Sequence, residues 1–135
     1  MTGLEVLSHD QCWDRLRAHV VGRVVFTQRA LPAIRPLNYS VHGSHVLLRP
    51  HSARLADCLD GQVVAFEVDQ IDEATQQGWS VVATGTARLV RDPGELARLD
   101  GLAASSWVGG DPPSTVVVTV GELTGRLLTP VATAL

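Results

Sequence analysis

Short runs rich in β-branched residues recur along this chain, each closed by glycine, proline or a polar turn. They are RVVFTQ (residues 23–28), HVLLR (45–49), QVVAFEVD (62–69), WSVVATGTARLV (79–90) and TVVVTV (115–120). Such side chains suit a pleated, half-buried surface, and the runs have strand length. A further stretch, AIRPLNYSV (33–41), reads as a strand interrupted by Pro36, whose missing N–H restricts it to an edge, a bulge or a free side of the ladder. Leu31-Pro32 reads as a turn, His42-Gly43-Ser44 as a tight hairpin turn, and Gln70 to Gly78 as a polar connection. Gly85 marks a bulge or a close-packing point. The last run is expected to continue through residues 123–128. Six closely linked strands point to a small barrel or sandwich. Runs such as VVAF and TVVVTV read as buried on both faces. A barrel interior fills one face, so a partner subunit is expected to cover the other.

Helices are few and well signposted. Ser8 and Gln11 form a capping box, so a helix should follow over about residues 10–19, with Trp13, Leu16 and Val20 on one stripe and Gly22 ending it. Residues 50–60 begin as a loop and become a short helix closed by Gly61. Asp92-Pro93-Gly94-Glu95 combines an N-cap acid, a proline at the first helical position and an acid at N3, a strong start for a helix to about residue 102.

The 135 residues suit one domain (1–135), large enough to bury a core without staples. The net charge of −3 argues against a nucleic-acid binder. All eleven basic residues are arginine. The N-terminal MTGLEVLSHDQCW has no basic segment followed by an apolar one, and no run is long enough to span a bilayer. Cys12 and Cys58 are too few and scattered for a disulfide scaffold. A cytoplasmic protein with reduced thiols and no membrane partner is therefore expected.

Dinucleotide, Walker, zinc-protease and hydrolase-elbow motifs are absent. The histidines share no metal-ligand spacing, and His42 and His45, flanking a turn, are expected to point apart; no metal site is expected. Glu67 and Asp69 share a strand face and read as an arginine-paired strand end ahead of an acid/base pair. Arg49, His51, Ser52 and Arg54 cluster between a strand exit and a helix start. Two guanidinium forks there suit a phosphate, while ordinary solvated arginines remain the alternative.

Several stretches, in order and spacing, carry a family resemblance: Cys12-Trp13, Val21-Gly22-Arg23-Val24, Pro36-Leu37-Asn38-Tyr39, Phe66-Glu67-Val68-Asp69, Gly78-Trp79-Ser80-Val81 with Gly85, and Leu123-Thr124-Gly125-Arg126. Over about residues 7–128 the chain resembles the pyridoxamine 5′-phosphate oxidase-like FMN-binding split-barrel family, especially its small actinobacterial-type members. The resemblance implies a mainly β fold: a six-stranded split barrel over about residues 21–128, with two or three short flanking helices. It also implies a homodimer with a flavin site at the interface. Arg35, Pro36, Leu37, Asn38 and Tyr39 would lie along the flavin, largely through backbone groups. Arg49, His51, Ser52 and Arg54 would meet its phosphate, with Pro50 standing where relatives place a threonine and Arg54 where they place a lysine. Trp79 and Ser80 match a strand that reaches the flavin from the partner subunit; Trp79 reads equally as interface core.

The function implied is a flavin-dependent oxidoreductase that takes electrons from NAD(P)H and acts on a small molecule, with no catalytic side chain designated. A reductase using the deazaflavin F420 is one alternative, although the acidic, lysine-free composition offers a poor groove for an acidic tail. A non-catalytic protein with a degenerate pocket and no cofactor is the other. The loop at residues 105–114, with Trp107, would shape substrate specificity or simply be anchored by its tryptophan.

Overall fold

A computed structural model describes residues 4–102, 106–107 and 114–130. In chain order the elements are β1 (Leu4–Val6), α1 (His9–Arg17), β2 (Val21–Gln28), β3 (Leu31–His42), β4 (His45–Arg49), α2 (Ala53–Leu59), β5 (Val63–Asp72), β6 (Gln77–Leu89), α3 (Pro93–Asp100) and β7 (Val116–Leu128). All strand pairings are antiparallel, in the order β1-β7-β4-β3-β2-β5-β6. A further β6–β7 pairing closes the sheet into a barrel. The expected six strands are present, and short β1 adds a seventh along β7.

Local chemistry explains most element ends. Ser8 and Gln11 exchange side-chain and backbone hydrogen bonds at 2.8 and 3.2 Å, opening α1 as the capping box requires. Ser52 and Asp92 accept from Leu55 N–H and Glu95 N–H to open α2 and α3. α1 ends at Ala18, not at Gly22, and Val20 is half exposed, outside the helical stripe. The buried face of α1 is Cys12 and Leu16, one turn apart. Gly22 instead lies inside β2, where a Cβ would stand 2.2 Å from the Phe66 ring.

The β2–β3 turn is Arg29-Ala30, with φ of 53° and 63°. Leu31 and Pro32, expected as the turn, are ladder residues opposite Gln28 and Thr27. Two successive positive φ angles match the twist of a two-residue hairpin. β3 runs unbroken through Pro36, which sits opposite Arg23. The expected connection at residues 70–78 contracts to a four-residue turn, because β5 and β6 pair out to Asp72 and Gln77. The Asp72 carboxylate accepts from Ala74 and Thr75 N–H to shape that turn. Gly85 sits at a register shift of β6 against β7, where a Cβ would meet Thr119 O at 1.9 Å.

The main core fills the barrel and holds Leu37, Tyr39, Phe66 and Val81, closed off by Leu16 of α1 and Leu59 of α2. A second cluster joins Leu47, Val90 and Val117 beneath Leu96 and Leu99 of α3. Val116, Val117 and Val118 are therefore buried on both faces, as expected. The VVAF run is not: Val64 and Phe66 face inward, while Val63 is 70% exposed on the outer sheet face. No helix is long and apolar enough to cross a membrane among the described residues.

Candidate flavin site

Adjacent antiparallel strands and the loop beyond them bring Pro36, Asn38, Arg49, His51 and Ser52 of the nominated residues to one corner. Asn38 of β3 faces Arg49 of β4 in register. Just beyond β4, His51 Nε2 lies 2.6 Å from Pro36 O. A carbonyl only accepts, so Nε2 carries the proton, and Nδ1 is buried with no partner among the described residues. Ser52 spends its hydroxyl on capping α2.

Arg54 leaves this corner toward β3. It lines a cleft of about 750 Å³ with Arg29, Arg35, Gln28, Pro32 and Ile34. The Arg35 guanidinium donates to Ile34 O at 2.8 Å and stands 6.0 Å from the Phe26 ring centre. Arg29 was not among the expected site residues. It arrives through the β2–β3 turn, whose Arg-Ala sequence carries no turn signal.

Several nominated side chains are turned inward or already engaged. Leu37 and Tyr39 point into the core, and the Tyr39 hydroxyl donates to Leu16 O at 2.5 Å. Burial holds the Tyr39 hydroxyl well above the usual phenol range. Only the backbone of these two residues can meet a ligand from β3. Buried Asn38 is engaged by its neighbours, donating to Val20 O at 3.2 Å and accepting from Trp107 N–H at 2.8 Å. Arg49 is buried beneath α3, where it pairs with Asp100 at 3.3 Å. Trp107 is therefore anchored through its backbone while its side chain is 73% exposed. Most of the loop at residues 105–114 lies outside the described residues.

Trp79 and Ser80 sit on β6. Trp79 packs against α1 and the residues after it, with Arg15 5.2 Å over its indole and the His19 ring 5.2 Å away. It also lines a second cleft, of about 800 Å³, with Gln70, Asp72 and Leu127. Ser80 faces Asp69 on one side and Arg126 on the other.

On the outer sheet face Arg23 reaches Glu67 at 3.7 Å and Asp69 at 3.5 Å, the arginine-paired strand end that was expected. Desolvation, together with the hydrogen bond and charge of Asp69, pushes the Glu67 carboxyl up to about 7 against the opposing pull of Arg23. His42 and His45 do not point apart. They face each other across the β3–β4 hairpin, and directly opposed residues share one face. No group of three metal-ligating side chains forms among the described residues.

Comparison with known proteins places this geometry. The family model described as pyridoxamine 5′-phosphate oxidase matches residues 8–128. The uncharacterized protein Rv0080 of Mycobacterium tuberculosis is 38% identical over 125 residues, covering 88% of this chain and 82% of that protein. A solved FAD-binding protein of Mycobacterium smegmatis is 34% identical, with a TM-score of 0.74 over 95% of this chain and 98% of its own. A putative pyridoxamine 5′-phosphate oxidase of Corynebacterium glutamicum is 27% identical, with a TM-score of 0.78 over 96% of both chains. The matched span runs from the α1 cap to the end of β7 and includes all the strands of the barrel except β1. The chain belongs to the pyridoxamine 5′-phosphate oxidase family.

Proposed function

We propose that this protein binds a flavin nucleotide at the β3–α2 cleft, as a homodimer, and works as a flavin-dependent oxidoreductase on a small molecule with NAD(P)H as reductant. The observation that carries the reading is the convergence of Arg29, Arg35 and Arg54 on one cleft. Arg35 and Arg54 come from the two stretches that the family resemblance assigns to the flavin. The residues fit such a group. Guanidinium forks match phosphate oxygens, and the buried Nδ1 of His51 has no partner among the described residues. FMN offers one phosphate. A third arginine suits the second phosphate of FAD, the cofactor in the name of the 34% identical mycobacterial protein.

A bound flavin supplies the hydride and electron transfer. The protein's own residues bind and orient it. Arg54 and Arg29 hold phosphate charge, and His51 fixes the loop before α2 to the β3 backbone through Pro36 O. The outer faces of β2 and β5 carry exposed Val63 and Ile71 around the Arg23–Glu67–Asp69 group, a surface suited to a second copy. That copy would bring the Trp79-Ser80 stretch of its own β6 to the flavin through Ser80 and the strand backbone, Trp79 itself being buried in its protomer's core. The unpaired Cys12 and Cys58 suit a reducing cytoplasm.

The cleft also favours a second reading, because three arginines could equally take the acidic tail of F420. Purified protein titrated with FMN, FAD and F420, with cofactor fluorescence followed, separates the cases. We expect tight flavin binding, weakened roughly tenfold or more by Arg54→Ala, the worth of a charged hydrogen bond. Preferential F420 binding selects the second reading. Binding of none of the three refutes both and leaves a non-catalytic barrel. Sedimentation of the free protein as a monomer refutes the shared site.

A further inference from the structure

A groove lies on the side of the barrel covered by α3, and nothing in the flavin reading uses it. It encloses about 390 Å³, the small end of the range for ligand pockets. Its floor is apolar, formed by Leu47 of β4 and Val117 of β7, which face each other in register. Leu99 and Leu102 make one wall, at and just beyond the end of α3. The opposite wall is the β3–β4 hairpin, with His42 and His45 on the same face as Leu47. Ser40 fixes that wall to the segment after α3 by donating to Leu102 O at 2.9 Å.

The charges in the groove are not balanced. Arg88 closes one end, but Glu95 holds it in a two-point pair at 2.7 and 3.0 Å. Arg98, exposed on α3, makes no ion pair or hydrogen bond among the described residues and feels the same Glu95 only at longer range. Two guanidinium groups against one carboxylate, with two imidazoles, thus rim an apolar floor in a chain whose net charge is −3. A purely apolar ligand would leave those polar groups without use. A fully polar anion would gain nothing from four aliphatic side chains. We propose that this groove binds a small carboxylate with an apolar body, its head on Arg98 and the histidine pair and its body on Leu47, Val117 and Leu99. The site is independent of the flavin cleft, because its rim comes from the opposite end of β3.

The test uses full-length protein with hexanoate and benzoate as probes, and hexanol and benzyl alcohol as their uncharged counterparts. Titration is followed by NMR of the histidine ring protons. Saturable shifts are expected at His42 and His45, with His9 and His19 unmoved. The alcohols should bind roughly tenfold more weakly or worse, for want of the charged hydrogen bond. Arg98→Ala should lower carboxylate affinity by a similar factor and leave thermal stability and flavin affinity unchanged. His42→Gln with His45→Gln should weaken it independently. Absence of saturable shifts, equal affinity for alcohol and carboxylate, or an unaffected Arg98→Ala protein would overturn the proposal. A parallel fall in flavin affinity in Arg98→Ala would overturn its independence.

Discussion

Gly22 tests how the barrel interior is packed. A Cβ added there would stand 2.2 Å from Phe66 Cζ and 2.8 and 2.9 Å from the two Cε atoms. The ring has nowhere to retreat. Phe66 is fully buried and meets Tyr39 edge-on at 4.7 Å between centroids, and Tyr39 is tied through its hydroxyl to Leu16 O in α1. Gly22 does not use a positive φ, so the backbone itself accepts alanine. Alanine would even gain about 0.4–1 kcal/mol by restricting the unfolded chain. Overpacking costs about 1–3 kcal/mol, and this depth of overlap belongs at the upper end. Gly22→Ala should therefore lose about 2 kcal/mol, or roughly 6 °C in Tm for a domain of this size. Phe66→Leu alone should cost about 1–2 kcal/mol through the space it opens. That space is where the new methyl group must go, so the double variant should recover at least about 1 kcal/mol of the summed losses. Urea midpoints at one protein concentration, with unchanged m, measure all four corners of the cycle. Additive losses would show that the Gly22–Phe66 contact is not what limits this position.

Other predictions are local. Gln62 accepts from Thr27 N–H and donates to Thr27 O and Cys58 O at 2.6–2.9 Å, tying β2 to the end of α2, so Gln62→Ala should cost about 1–3 kcal/mol in urea unfolding. Glu67 keeps its proton to about pH 7 when folded against an ordinary value of 4.5. Its contribution to stability is whole below about 4.5 and is lost as pH rises through about 7, so wild-type urea midpoints should fall between pH 5 and 8 while those of Glu67→Gln stay flatter. Arg29→Ala should weaken FAD more than FMN in the fluorescence titration, whereas an equal effect on both would remove Arg29 from the second phosphate.

The features legible in the sequence are those whose partners lie within a few residues. The Ser8–Gln11 box and the Asp92 cap each join groups three positions apart, so residue type and spacing suffice. The Gly85 bulge was legible because a strand-interior glycine has few other uses. The β2–β3 turn was not, because Arg29-Ala30 supplies neither asparagine nor glycine at two positive φ positions. Leu31-Pro32 offered a stronger false signal two residues away. β1 is three residues long and depends on β7, more than a hundred positions downstream. Gly22 looked like a helix terminator because its real reason, the Phe66 ring across the barrel, is a tertiary contact. The histidine pair is not legible without a register, since residues flanking a two-residue hairpin face one another.

Net charge was the least informative number for function, and the ion pairs show why. Arg17, Arg23, Arg49, Arg88 and Arg91 each meet a carboxylate among the described residues, and their charges cancel locally. Arg15, Arg29, Arg35, Arg54, Arg98 and Arg126 make no ion pair among the described residues. Arg29, Arg35 and Arg54 share the cleft beside β3, and Arg98 rims the groove beneath α3. A dissolved anion responds to potential within about a Debye length, roughly 8–10 Å, and not to the total for the chain. The fold therefore leaves, in a chain of net charge −3, two surfaces with more guanidinium than carboxylate, because acids such as Asp14, Asp60, Asp69 and Asp100 pair with other arginines. By the same reasoning, the composition argument against an acidic-tailed cofactor loses its force at the cleft. Discrimination between a flavin phosphate and such a tail must come from the spacing of the three guanidinium groups.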